Sequence, residues 1–177
     1  PADQPPPRRA VLTGADLPTP YGVIPVAQDE HALAVGKVLF IGDEVAAVAA
    51  VDQETARRAA ALIRVEYEPL EGVFTIEDAL NPDKPLLHDE RRRKGDTNVL
   101  RRVFQKYGDP AAGFAEADVI IESSYDYPGS THVPLETQVA LAQPHPDGKL
   151  TLWSSTQIPH YLHRIVSKVL GMREQDV

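Results

Sequence analysis

One continuous stretch, residues 37–70, limits the possible folds of this chain more than any other. It reads KVLFIGDEVAAVAAVDQETARRAAALIRVEYEPL. The segment KVLFIGD predicts a strand that ends in a turn, and the small apolar residues of EVAAVAAVD predict a second strand buried on both faces. A helical segment and a third strand, RVEYEP, follow. A strand–strand–helix–strand order is typical of α+β domains, and we expect that class here.

The helix in this stretch is predicted from its cap and its spacing. Asp52 stands at the N-cap position, and the apolar residues behind it recur at helical intervals. The predicted inner face consists of Ala56, Ala59, Ala60 and Ile63. Small alanine side chains allow a close approach, so we expect this face to pack on the sheet.

Composition excludes several classes of function. The chain has 177 residues and a net charge of −8, which argues against nucleic acid as a partner. Its one dense basic run, residues 90–96, has acids at both ends and is interpreted as a solvated loop. No apolar run approaches the roughly 20 residues that a membrane helix requires, and no signal-peptide core is visible. The absence of cysteine excludes iron–sulfur ligation by these residues. These features fit a reducing compartment, and we expect a cytoplasmic protein.

The remaining elements are predicted from caps and turns. Thr75 and Asp78 predict a short helix that stops before Pro82. A long polar connection over residues 86–98 indicates a domain boundary. Asp109 predicts a capped helix over residues 110–117, followed by a long strand in DVIIESSYDYP. Two strands joined at Pro146-Asp147-Gly148 come next, and a last helix over residues 159–170 ends at Gly171. The apolar face of that helix is predicted to contain Leu162, Ile165, Val166 and Val169.

Few residue clusters suggest catalysis. His160 and His163 are three residues apart, but no acid at the right spacing completes a metal site. His132 and Glu136 form either an acid–base pair or a simpler arrangement in which Glu136 is a buried acceptor for backbone N–H groups. No nucleophile elbow, dinucleotide fingerprint or phosphate loop is present.

Gln157 lies where the last strand turns into the last helix. Asn, Asp, Ser or Gly would suit such a turn better than glutamine. Gln157 is therefore either filler, or its amide faces a ligand.

Four segments together resemble the molybdenum hydroxylases, the xanthine dehydrogenase and aldehyde oxidase family, in the molybdopterin-binding large subunit. They are AVLTGADLP, the 37–70 stretch, GDPAAGFAEADVIIESSYDYPGSTHVPLETQVALA and LTLWSSTQIPH, and they stand in the family's order. The resemblance implies a flexible lead-in over residues 1–10, an α/β hammerhead domain over 11–87 and a linker over 88–102. The beginning of the molybdenum cofactor-binding domain would occupy 103–177.

The resemblance also implies roles for two residues. Gln157 matches a family glutamine that donates a hydrogen bond to an oxo ligand of molybdenum, and Glu136 matches a glutamate that supports the site. The implied cofactor is molybdenum–molybdopterin, in its plain or cytosine dinucleotide form. FAD and [2Fe-2S] clusters would lie on partner subunits or domains. The implied substrate is an aldehyde, an N-heterocycle or an aryl-CoA thioester. Residues 20–38 resemble the 4-hydroxybenzoyl-CoA reductase branch.

Large subunits of this family carry more than these residues. They have further hammerhead strands before AVLTGADLP, and a Gly-rich cofactor loop and a base glutamate after the segment that ends here. The resemblance therefore predicts a chain that is truncated at both ends, inactive alone and completed by the remainder of the large subunit. The alternative is a free-standing hammerhead-type module that binds a partner without catalysis.

Overall fold

The computed structural model describes residues 10–88 and 97–177. The predicted lead-in, apart from Ala10, and the basic run at residues 90–96 lie outside these ranges. The strands are β1 (Ala10–Thr13), β2 (Ala46–Ala49), β3 (Ala140–Pro144) and β4 (Leu150–Ser154). The helices are α1 (Gln53–Ala60), α2 (Ile76–Leu80), α3 (Pro110–Glu116), α4 (Pro159–Leu170) and a final 3-10 helix (Glu174–Asp176). Mixed helix and strand content confirms the α+β class.

The first sheet is an antiparallel pair of β1 and β2, in which Ala10 lies opposite Ala49. Helix α1 follows at once, and the Asp52 carboxylate accepts a hydrogen bond from the Thr55 backbone N–H at 2.7 Å. This confirms the predicted N-cap. Ala56, Ala59 and Ile63 are half-buried, as the helical spacing predicts, whereas Ala60 is exposed.

Three details of the predicted strand–strand–helix–strand block are wrong. Residues 37–43 form a turn, in which the Asp43 carboxylate accepts from Leu39 N–H at 2.8 Å. Residues 63–70 form no strand. Strand β2 alternates between half-buried and exposed residues instead of being buried on both faces. All three have one physical reason: β2 pairs with β1 alone, and the other apolar segments have no strand beside them within the described ranges.

Burial is concentrated at two points of the described chain. Leu33 is 5% exposed and Ser167 is 2% exposed. Leu33 lies in an irregular segment that packs closely on the end of β1, since a Cβ on Gly14 would lie 2.2 Å from the Ala34 carbonyl oxygen. Many large apolar side chains are exposed, among them Phe104 at 89%.

The middle of the chain contains two capped helices. Thr75 accepts from Asp78 N–H at 3.0 Å at the start of α2. Asp109 accepts from the N–H groups of Ala111 and Ala112 at the start of α3. Both caps confirm the sequence prediction. The long strand predicted in DVIIESSYDYP is absent, and residues 118–128 are exposed and irregular. A strand needs a partner for its backbone groups, and none lies beside this segment in the part of the chain described.

The C-terminal part matches the prediction closely. Strands β3 and β4 pair antiparallel, with Leu141 opposite Trp153. His145 and Gly148 close the predicted turn through a 3.0 Å backbone hydrogen bond. Helix α4 begins at Pro159, and Gly171 ends it in the left-handed region at φ 65°.

The described ranges hold no helix with the length and apolarity that a membrane crossing requires.

Candidate functional site

Gln157 lies on the short connection between β4 and α4, as the sequence predicts. Ser155 extends the hairpin, because its backbone N–H donates to Val139 O at 3.1 Å. Thr156 Oγ1 accepts from Ile158 N–H at 3.2 Å, and Pro159 then opens the helix with its restricted φ. Gln157 is therefore held between residues that hydrogen bonds fix on both sides.

The Gln157 side chain is exposed, and its amide makes no hydrogen bond to any residue in the described part of the chain. The amide N–H donors are thus free for a ligand, and an amide carries no charge that could titrate. Neither property makes a site alone. They do leave an uncharged donor at a fixed backbone position.

Glu136 lies in an exposed, irregular segment between α3 and β3. The residue is exposed, so the interpretation of Glu136 as a buried acceptor for backbone N–H groups is wrong. His132 is exposed as well. Between them, Val133 has a φ of 41°, a left-handed conformation that β-branched residues rarely adopt. The backbone between His132 and Glu136 is therefore irregular. The acid–base pair and the supporting role of Glu136 stay predictions.

Of the two histidines of α4, His160 is exposed and His163 is half-buried. His163 Nε2 lies 2.6 Å from the backbone carbonyl oxygen of Glu174, so this ring nitrogen donates to the C-terminal 3-10 helix. Ser167, one turn further along α4, is buried. Its hydroxyl donates to His163 O at 2.8 Å, which satisfies the buried group inside the helix. Within the described ranges, no group of three or more His, Cys, Asp or Glu residues could hold a metal ion.

Sequence reasoning missed a cleft of about 570 Å³. One wall is an irregular loop, residues 21–28. The other wall is one face of α4 together with the start of the C-terminal 3-10 helix. The loop supplies Tyr21, Gly22, Val23, Pro25 and Gln28, and the other wall consists of Tyr161, Arg164, Ile165, Lys168 and Glu174. The only signal in the sequence is the spacing of Arg164 and Lys168, one helical turn apart.

The 21–28 loop has two features that affect this cleft. The Gln28 amide donates to Gly22 O at 2.7 Å and to Ile24 O at 2.9 Å, which closes the loop on itself. Burial raises the pKa of Tyr21, and the nearby carboxylates, Glu30 first among them, raise it further. The Tyr21 phenol therefore stays protonated at neutral pH and remains a hydrogen-bond donor.

Comparison with known sequence families gives two matches. Residues 2–71 match the aldehyde oxidase and xanthine dehydrogenase a/b hammerhead domain. Residues 92–177 match the molybdopterin cofactor-binding domain. The first match contains the 21–28 loop, and the second contains Gln157 and α4.

Curated relatives and a solved structure agree with these matches. The chain is 35% identical over 179 residues to a probable xanthine dehydrogenase component of Bacillus subtilis, covering 92% of this chain and 23% of that protein. It is 34% identical over 173 residues to the nicotinate dehydrogenase large molybdopterin subunit of Eubacterium barkeri, covering 94% and 39%. Its fold is similar to reconstituted CO dehydrogenase from Oligotropha carboxidovorans, with a TM-score of 0.78, 34% identity and coverage of 97% and 23%. The chain thus spans between about a quarter and two fifths of the length of these proteins.

Proposed function

Because the chain belongs to the molybdenum hydroxylase family of xanthine dehydrogenase and aldehyde oxidase type, we propose that it contributes to a large subunit that oxidises a small molecule at a molybdenum–molybdopterin cofactor. One observation carries the proposal. Gln157 presents an exposed, uncharged amide from the fixed β4–α4 connection, inside the region that matches the molybdopterin cofactor-binding domain. The same match supports an enzyme over a free-standing hammerhead module, since residues 92–177 match a different domain.

The residues present fit such a cofactor at this one point. The amide of Gln157 has no competing partner in the described ranges, so donating to a ligand breaks no existing hydrogen bond. A neutral donor polarises an acceptor without adding a titrating charge, and its fixed backbone lowers the cost of reorganisation. When bound, the cofactor supplies the two-electron oxidation chemistry. In our proposal Gln157 orients and polarises one edge of the molybdenum centre, and Glu136 supports the site.

The substrate class is proposed from the relatives. The Bacillus relative is named for xanthine and the Eubacterium relative for nicotinate, both of which are N-heterocycles. We therefore place an N-heterocycle before an aldehyde or an aryl-CoA thioester. Assays of the assembled enzyme with one compound of each class decide among them.

Cofactors and partners form a further part of the proposal. The chain has no cysteine, so [2Fe-2S] clusters must be ligated outside these residues. We propose that partner subunits or domains carry the clusters and FAD, that the remainder of a large subunit completes the cofactor site, and that the complex is cytoplasmic. Release of cytidine monophosphate on acid hydrolysis tests for the cytosine dinucleotide form of the cofactor. The linker at residues 88–102 stays a prediction.

The test of the proposed function is Gln157→Ala in the assembled enzyme. Loss of a preorganised donor should slow turnover by about tenfold or more, while molybdenum content and subunit assembly stay unchanged. Gln143→Ala is the matched control, because Gln143 is an exposed glutamine on β3 of the same hairpin. Equal turnover in both variants would remove Gln157 from the site.

A further inference from the structure

The cleft between the 21–28 loop and α4 has two cations and one carboxylate in its helical wall. The protein carries a net charge of −8, and several of its cations are paired. Lys84 lies 2.6 Å from Glu71, Lys149 lies 3.3 Å from Asp147, and Arg173 pairs with Asp176. Arg164 and Lys168 pair with no carboxylate in the described ranges, and both line the cleft. One acidic residue, Glu174, lines the end of the same wall.

The position of Arg164 suits the binding of an anion. Its guanidinium carbon lies over the Tyr161 ring, 5.6 Å from the ring centre, where a cation and an aromatic ring attract each other. The Arg164 guanidinium makes no hydrogen bond within the described ranges, so its N–H groups are available, and their fork matches the two oxygens of a carboxylate or phosphate. Lys168, one turn further along α4, adds a second charge on the same wall.

The rest of the cleft is suited to an apolar body. Val23 and Pro25 come from the loop, and Tyr161 and Ile165 come from α4. Tyr21 adds an aromatic wall with a protonated hydroxyl. A volume of about 570 Å³ lies within the range of small-molecule sites, which combine apolar walls with a few polar anchors.

We propose that this cleft binds a small organic anion, with a carboxylate or phosphate head on Arg164 and Lys168 and a planar apolar body between the loop and α4. The site is separate from the Gln157 amide and does not depend on the proposed function. Its two walls come from the two matched domains, so an occupant would hold the loop against the helix that follows Gln157.

Isothermal titration calorimetry of the assembled protein tests the site with three probes. Benzoate and phenyl phosphate carry the two candidate head groups, and benzamide has the same ring without a charge. We expect at least one anion to bind, and benzamide to bind about tenfold more weakly than it or not at all. The stronger of the two anions identifies the head group. Failure of both anions to bind overturns the proposal, even if an acidic peptide binds instead.

Variants then locate the binding. Arg164→Gln with Lys168→Gln should weaken the bound anion about tenfold or more. Arg57→Gln with Arg58→Gln is the matched control, since it also removes two exposed cations from one helix, α1. If the double variant does not fold by circular dichroism, Lys168→Gln alone replaces it, and a severalfold weakening is expected. Unchanged affinity in the folded cleft variant, or an equal loss in the control, contradicts the proposal.

Gln157→Ala separates the two proposals. Anion binding should persist at wild-type affinity in that variant. Loss of anion binding there would show that the probe occupies the proposed cofactor site, and would overturn the cleft assignment. Unchanged turnover with persistent anion binding would remove only the proposed function.

Discussion

Two neighbouring regions of the chain differ in how completely they form regular structure. Residues 139–177, the hairpin–helix unit, contain β3, β4, α4 and the 3-10 helix. Residues 118–129, the exposed segment, contain a strong strand pattern but no strand. The hairpin–helix unit is built from contacts between residues close in sequence. The exposed segment has the composition of a strand, but no strand lies beside it in residues 10–88 and 97–177. An apolar pattern alone therefore does not make a strand.

The largest expected effect tests whether the exposed segment is completed by further polypeptide. Ile121 is 84% exposed in this chain. In the isolated chain, Ile121→Ala should change the free energy of unfolding by no more than about 0.5 kcal/mol, since substitutions of exposed residues cost little. In the assembled enzyme we expect a loss of about 2–5 kcal/mol, because a buried isoleucine would leave a cavity. Denaturant titration of both samples measures the difference.

Amide hydrogen exchange provides the control for this prediction. Residues 118–129 should gain protection in the assembled enzyme, whereas the amides of β3, β4 and α4 should be protected in both samples. Equally fast exchange of the segment in both samples would mean that it stays irregular in the assembled enzyme. That result would contradict the expectation that further polypeptide pairs with it.

The next effect concerns the end of the hairpin–helix unit. Gly171 has a φ of 65°, and Met172 N–H donates to Ser167 O at 2.9 Å behind it. Gly171→Ala should destabilise the end of α4 by about 1–2 kcal/mol, because a Cβ is disfavoured in the left-handed region. The free energy of local opening, from amide exchange in α4, measures the loss.

Gly113→Ala is the matched control with the opposite sign. Gly113 lies inside α3, and a Cβ there would meet no atom within 4 Å. This change should stabilise α3 by roughly 0.5–1 kcal/mol. A loss of stability in both variants would show that the φ of Gly171 is not the cause.

The smallest effect is a pH dependence of the β3–β4 turn. A hydrogen bond from Lys149 N–H, at 3.2 Å, is the main cause that lowers the pKa of Asp147. Because the pKa of Asp147 is lower in the folded chain than in the unfolded chain, its carboxylate stabilises the turn fully at pH values above the ordinary pKa of an aspartate. This stabilisation is lost as the pH falls through the lower folded value.

Amide exchange of Lys149 should therefore accelerate in acid beyond its intrinsic pH dependence, and Asp147→Ala should abolish this extra acceleration. Asp126→Ala, in the exposed segment, should leave it intact. If the Asp147 and Asp126 variants behave alike, the turn carboxylate does not stabilise the hairpin.

Prediction from the sequence succeeded wherever structure depends on near neighbours. The caps at Asp52, Thr75 and Asp109, the 146–148 turn and the end of α4 at Gly171 all follow from local hydrogen bonding. The strands predicted at residues 37–43 and 64–69 are absent, since pairing depends on residues far away in sequence.

The candidate site divides in the same way. The position of Gln157 follows from the adjacent strand and helix, so it was predictable. The cleft was not, because its walls are separated by more than a hundred residues and neither wall has a recognisable motif. Burial of Ser167 was also not predicted, since serine is mostly exposed in folded proteins.

Electron paramagnetic resonance of molybdenum(V) in the assembled enzyme tests the central claim most directly. Wild type, Gln157→Ala and Gln143→Ala would be compared at matched molybdenum content. A hydrogen-bond donor beside the metal tunes its electronic environment, so we predict an altered spectrum in Gln157→Ala and a wild-type spectrum in Gln143→Ala. Identical spectra in all three proteins would contradict the claim that the Gln157 amide faces the molybdenum centre.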